Sequence, residues 1–422
     1  MPETLVKLMR PARKMKQRLL DSPGRASRLA NRDWDAASKA FAASPYTPGR
    51  SAKHLLLAAP GINNIGDEAM LEAFLRATNF NATVVVGPDA TYDFHRYPPS
   101  VQVERMPGIF IGTSKERITA LRRFAALALK SASVSIVGAD IIDGGYHARS
   151  AAGTWALAAA SAQAGIDTRV LGFSWKPNVA APVQFNALRA AEAGVKLLVR
   201  DPDSFDRITA DGISAELVAD TVFTLPRPEE STGLRPRRVL FNVSGLIRSR
   251  LDLIPDYVRV ITSLQESGYE IHILPHVDNP TSSDIIASKE LLERLPSTDA
   301  VTAHATLVAP MAVKQLADTA SFVVTGRMHL AVLALSMSTP AIVLATQGKV
   351  SGLMQMFDMP EMCIEPKTGC AEEILDRVRQ IEAGGDALRG RIESRLSQVT
   401  SLAHRNFRGI GSAERRAEDL RS

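Results

Sequence analysis

From Lys53 onward, short runs of aliphatic and β-branched residues alternate with longer stretches whose apolar side chains recur every three to four positions. Continuous apolar runs suit strands buried on both faces, and the longer period suits helices that bury one side, so the pattern predicts βα units around parallel sheets. "HLLLAAP" predicts a first strand, "DEAMLEAFLRAT" a helix with Met70, Leu71, Phe74 and Leu75 facing the core, and "ATVVVG" a second strand. The helix "KERITALRRFAALALKSA", a strand "SVSIVGADII" ending at Asp143, the helix "AGTWALAAASAQAG" and the strand "TRVLGFSW" continue the series. "APVQFNALRAAEAG", "KLLVRD", a short helix in "DPDSFDRITADG" and "ELVAD" complete the first half.

The Pro, Gly and charge density of "TLPRPEESTGLRPRR" marks a linker, after which the alternation restarts at "VLFNVSG" and runs to "PAIVLA". The predicted organisation is an extension over 1–50, a Rossmann-like domain over 51–228, a second over 236–366, and a helical tail over 367–422. Two doubly wound α/β domains that face each other leave a cleft between their strand C-termini, where open parallel sheets bind ligands.

Composition narrows the class without changing this picture. The chain has 422 residues, 45% hydrophobic and 23% charged, which fits an ordinary globular protein with two cores. Its two cysteines, Cys363 and Cys370, form neither a CxxC pair nor a Cys/His cluster, so neither a disulfide framework nor a zinc site is indicated and a reducing cytoplasm is expected. No run approaches the roughly 18 apolar residues of a spanning helix, and the start lacks a secretory core. Residues 1–50 hold eleven Lys/Arg against four Asp/Glu, whereas the remainder holds 39 against 41, so the net charge of +5 comes from the extension. An acidic lipid surface would attract it, giving peripheral contact at the inner face of a membrane; the plainer reading is a solvated, partly disordered arm. Basic clusters interleaved with aromatics are absent, which argues against nucleic acid.

Candidate chemistry gathers at strand ends. "PGINNIGDEAM" has the glycines and asparagines of a phosphate loop, yet Asp67 and Glu68 occupy the first helical turn and would repel a phosphate. Asn63, Asn64, Asp67 and Glu68 instead suit hydroxyl groups, or simply cap the helix. Cations follow later strands: Arg200 in "LLVRDPDS", with pairing to the adjacent Asp as its plain alternative, then Arg327 and His329 in "VVTGRMHL", then Lys349 after "PAIVLATQG". Successive βα turns of a parallel sheet share one edge, so Arg327, His329 and Lys349 are expected to converge on a small ligand carrying phosphate and carboxylate, with unrelated surface charges as the plain alternative. His276 and Asp278 end another second-domain strand and are within the same expectation or are merely solvated.

"NNIGDEAML", "VRDPDS" and "GRMHLAVLALSMSTPAIVLATQGKV" together resemble the polysaccharide pyruvyl transferases, over about His54 to Glu365. The resemblance implies two Rossmann-like domains similar to the GT-B glycosyltransferases and transfer of a pyruvyl group from phosphoenolpyruvate, as a ketal, to hydroxyls of a glycan or lipid-linked sugar. By position it implies donor-site roles for Arg200, His329 and Lys349, with no metal and no cofactor beyond phosphoenolpyruvate as co-substrate. "GADIIDGGYH" departs from the family's glycine turn, and Met328 stands where a leucine is usual, which leaves the role of 143–147 open. His329 is expected to move protons, Arg200, Arg327 and Lys349 to neutralise the donor, and Asn64, Asp67 and Glu68 to meet the acceptor, Asp67 assisting its deprotonation. A nucleotide-sugar glycosyltransferase and a non-catalytic glycan-binding protein are the alternatives on the same fold.

Overall fold

The computed structural model describes residues 23–43, 53–228, 237–296, 298–345 and 348–410, with backbone alone for Pro23, Ala26 and Lys349. The first sheet contains β1 (His54–Leu57), β2 (Ala82–Val86), β3 (Gln102–Arg105), β4 (Ser133–Ala139), β5 (Asp167–Phe173), β6 (Lys196–Val199) and β7 (Glu216–Leu217), in the order β3-β2-β1-β4-β5-β6-β7. The second contains β8 (Arg238–Phe241), β9 (Glu270–Ile273), β10 (Val301–Ala303), β11 (Phe322–Thr325), β12 (Ala341–Leu344) and β13 (Cys363–Ile364), in the order β10-β9-β8-β11-β12-β13. All neighbouring strands within both sheets pair in parallel. The order reverses direction between β1 and β4 and again between β8 and β11, so each sheet has a switch point where the loops diverge and leave a crevice.

Three local differences from the sequence reading matter. "VQVER" is an edge strand, β3, whose exposed and half-buried positions gave no apolar run to detect. β4 ends at Ala139, which has φ +47° and turns the chain out of the sheet, so Asp140 to His147 form a loop rather than strand. The supposed arm is in part a helix, Pro23–Ala42, that buries Ala30, Ala37, Ala40 and Phe41 against the helices Ser114–Ala128, Ala148–Gln163 and Ala181–Glu192. Small residues seven and three positions apart let it sit close, and its Trp34 ring lies 5.0 Å from the Arg189 guanidinium. Residues 1–22 of the extension lie outside the described residues.

The apolar interior is not divided into one core per sheet. One cluster fills the far side of the first sheet beneath Trp155, Phe173 and Trp175. The other runs from β1 and the Ile65–Ala77 helix through Val218, Val222 and Phe223 into the whole second sheet, and on to the Ala371–His404 helix. That last helix bends at Gly385, whose backbone leaves the helical region, and its end returns to the first sheet. There Asn406 accepts the Gly172 N–H at 2.9 Å and donates to the Ala219 carbonyl at 2.9 Å, while Arg169 donates to the carbonyls of Asn406 and Arg408.

Candidate functional site

The loops leaving β1, β4, β6, β8, β9, β11 and β12 line one cleft of about 900 Å³, and they leave both sheets at their C-terminal edges. On the first wall, Asn64 caps the Ile65–Ala77 helix in extended conformation, its Oδ1 accepting the Gly66 N–H at 2.9 Å. Asp67 in the first turn accepts the Gly61 N–H at 3.1 Å, so the acid holds the turn together as well as facing the cleft. Burial raises the Asp67 carboxyl to about 6, and Asp140 adds to this, while His329, the Gly61 N–H and Arg200 oppose it. Glu68 is directed elsewhere: it pairs with Arg96 and is absent from the cleft lining. Of the two acids expected at the acceptor wall, the structure brings one to it.

Arg200 leaves β6 almost wholly buried. Its Nη1 donates to Asp220 at 2.7 Å and its Nε to the Ser174 hydroxyl at 2.9 Å. Asp201, the partner suggested by adjacency, instead accepts the Ser204 N–H at 2.8 Å and the Ser204 and Ser174 hydroxyls, which caps the Pro202–Ala210 helix. Asp220 is therefore the acid that pairs with Arg200, and it was missed: "ELVAD" reads as a strand end, and only the following Thr221, with Asp220 capping a short turn, hinted at another role.

The opposite wall carries His329 at the start of the Met328–Leu335 helix. Its Nε2 lies 3.4 Å from Asp220 Oδ2 and 3.4 Å from Arg200 Nη1. Burial alone would raise the Asp220 carboxyl; the His329 imidazole, by charge and hydrogen bond, and Arg200 outweigh it and hold the group well below the usual carboxylate range. Gly66 presses against the other side of the ring, where a methyl group would stand 2.2 Å from His329 Nδ1. The "GDEA" turn, the "VRD" strand end and the "RMH" helix start thus meet around one imidazole.

Arg327 also lines the cleft, but its guanidinium is already engaged. Nη2 and Nε bind the fully buried Asp284, Nη2 at 2.6 Å, and Nη2 also donates to the Ser282 carbonyl at 2.9 Å. Asp284 further accepts from Asn242, and from the backbone N–H of Gly245, His276 and Val277, so it ties together the loops after β8, β9 and β11. Arg327, expected to help neutralise the donor, lines the cleft and also clamps these loops. Burying a lone aspartate would be prohibitive, which is why the pattern needs Arg327 and four further donors around it.

Lys349 opens the Lys349–Met356 helix, and its side chain lies outside the described residues. The helix itself is pinned to the "VRDPDS" segment: Ser351 and Gln355 donate to Asp203, and a methyl on Gly352 would lie 2.6 Å from Asp201 Oδ1. Asp201 and Asp203 therefore place Arg200 and the start of the Lys349 helix side by side. In the loop after β4, Tyr146 donates to Asp140 at 3.0 Å and the Gly145 N–H to Asp143 at 2.7 Å, bringing Asp140, Gly145 and an exposed Tyr146 to the first wall. His276 and not Asp278 faces the cleft; Asp278 accepts the Ser283 hydroxyl and takes a place in the loop. The two walls are joined directly, since Ile65 N–H donates to the His276 carbonyl at 3.1 Å and Asp278 N–H to the Asn63 carbonyl at 2.9 Å.

A family model described as polysaccharide pyruvyl transferase matches residues 64–348 of the chain. No curated protein matches by sequence. Among solved structures, the UDP-GlcNAc 2-epimerase of Methanocaldococcus jannaschii is similar with a TM-score of 0.52 at 15% identity, over 78% of this chain and 91% of that one. A UDP-glucosyltransferase of Polygonum tinctorium is similar with a TM-score of 0.56 at 9% identity, over 86% and 98%. A glycosyltransferase of Rickettsia africae gives 0.51 at 12%, over 87% and 97%. At these identities the likeness concerns the fold, two Rossmann-like α/β halves in the GT-B-like arrangement.

Proposed function

Because the chain belongs to the polysaccharide pyruvyl transferase family, we propose that it transfers the pyruvyl group of phosphoenolpyruvate to two hydroxyls of a glycan or lipid-linked saccharide, forming a ketal and releasing phosphate. The observation that carries the reading is His329 held between Asp220 and Arg200 on one side and the Gly66 backbone on the other. Ketal formation needs a proton delivered to the enol C3, a cationic C2 stabilised, and two hydroxyl protons removed. His329 Nε2 can accept from Arg200 when neutral and donate to Asp220 when protonated, so the ring gains and loses a proton without losing a partner.

In the proposed sequence His329 protonates C3, and the π electrons leave C2 electron-poor beside the Asp220 carboxylate. One acceptor hydroxyl adds to C2 and loses its proton to Asp67, whose carboxyl, at about 6, is ionised and basic near neutral pH. The C2–O bond to phosphate breaks, the phosphate leaving with its electron pair, and the second hydroxyl closes the ring and loses its proton to the phosphate. Lys349 at its helix start and Arg200 offer charge to the donor; Asn64, Tyr146 and Asp140 offer polar groups and a ring face to the sugar. Placement at the inner face of a membrane follows from the acceptor class and from the basic side of the Pro23–Ala42 helix.

The deciding experiment incubates the full chain with phosphoenolpyruvate and candidate saccharides and follows acceptor-dependent phosphate release. Turnover in the wild type and loss of at least a thousandfold in His329→Ala are expected. Consumption of a nucleotide sugar, with phosphoenolpyruvate untouched, would establish the glycosyltransferase alternative instead.

A further inference from the structure

His276 follows β9 at the floor of the cleft, 1% exposed, with its backbone fixed from both sides: its N–H donates to Asp284 at 3.0 Å and its carbonyl accepts from Ile65 at 3.1 Å. Neither ring nitrogen has a hydrogen-bond partner among the described residues. A neutral imidazole carries one donor and one acceptor, and burying both unmet is unfavourable enough that such groups require an explanation. Burial, then the neighbouring His329 and Arg327, keep this imidazole uncharged well into acid, so at neutral pH it presents an N–H donor. An acceptor carrying negative charge is the partner that suits it.

Charge accounting in the cleft leads to the same place. Three arginines line it, Arg200, Arg250 and Arg327. Arg200 is bound to Asp220 and Arg327 to Asp284, both at short range. Arg250, just past the short Gly245–Arg248 helix, makes no side-chain hydrogen bond or ion pair with any described residue. It stands on the same wall as His276, because Gly245 packs against Ser282 and Ser283 at the end of the His276 loop.

We propose that His276 and Arg250 form an anion subsite on the second-sheet wall that binds the phosphate or carboxylate of the small donor, the imidazole N–H from below and the guanidinium from the solvent side. This rests on the phosphoenolpyruvate reading above and assigns its binding to residues outside the family-like motifs. Arg200 then offers the donor a charge it shares with Asp220, Arg327 acts chiefly as a fixed part of the wall, and Arg250 supplies charge that no carboxylate among the described residues has already cancelled.

The test titrates the full chain with phosphoenolpyruvate by calorimetry, in the wild type and in His276→Phe, His276→Gln and Arg250→Gln, with thermal unfolding as the check of folding. His276→Phe is expected to weaken binding at least tenfold, and His276→Gln, which restores an N–H donor, to recover part of that loss, which packing alone would not do. Arg250→Gln is expected to weaken binding about fivefold to tenfold and to flatten its dependence on salt. Folded variants that bind within twofold of a wild type that does bind overturn this subsite alone. Should His276→Phe not fold, His276→Gln and Arg250→Gln decide by the same criterion. A wild type that does not bind phosphoenolpyruvate overturns the donor reading and this assignment with it.

Discussion

A methyl group on Gly66 would stand 2.2 Å from Nδ1 and 2.6 Å from Cγ of His329, closer than any side-chain contact tolerates. Gly66→Ala is therefore expected to displace the imidazole from Asp220 by about an ångström and to lower turnover about a hundredfold, with little change in unfolding midpoint. Rates and thermal unfolding of the purified variant check both halves of that statement. Asp67 gives a second residue-scale prediction. Its carboxyl is raised to about 6 in the folded chain, against an ordinary 3.8, so the folded state holds the proton more tightly than the unfolded chain and stability falls as pH rises from about 3.8 to about 6, with the full loss present above that. Asp67→Asn should thus unfold at a higher temperature than wild type at pH 7, the difference shrinking as pH falls from 6 toward 4. The wild type is expected to show an acid limb near pH 6 in its pH-rate profile, and Asp67→Asn to lose it. A wild-type profile flat from pH 5 to 8 would remove Asp67 from proton transfer.

At the scale of elements, the Pro23–Ala42 helix presents Arg28, Arg32 and Lys39 along its outer side, next to Arg122 and the exposed Ile118 of the following layer, around a surface cavity of about 470 Å³. The inner side is committed to the core, so the basic stripe has a fixed direction rather than the freedom of an arm. On the membrane reading, Arg28→Glu with Arg32→Glu is expected to cut co-sedimentation with anionic vesicles at least tenfold, leaving neutral vesicles unbound throughout and saccharide-dependent turnover in solution unchanged. Equal pelleting of both forms would sink the membrane contact. The existence of this helix was not legible from composition. Its Lys/Arg count dominates, and the decisive alanines at 30, 37 and 40 carry too little hydrophobicity to announce burial.

For the molecule as a whole, the interior that spans both sheets and the returning C-terminal segment make the cleft geometry a property of the entire fold. Asn406 is fully buried and joins that segment to Gly172 and Ala219 of the first sheet. Asn406→Ala leaves a buried N–H and a buried carbonyl unmet, and is expected to lower unfolding free energy by about 3 kcal/mol in urea titrations. The sequence by itself determined the two parallel sheets, because strand-length apolar runs and helix-period stretches are local and repeat unit by unit. It also marked the strand ends where Asn64, Asp67, Arg200, Arg327 and His329 stand, because polar residues after a buried strand must face a cleft or solvent. Only tertiary structure decided partnership. Asp220 reaches Arg200 across 20 residues, Asp284 reaches Arg327 across 43, and Gly66 meets His329 from another sheet. Such pairings satisfy buried charge through space, and no period or spacing along the chain records which distant partner that will be.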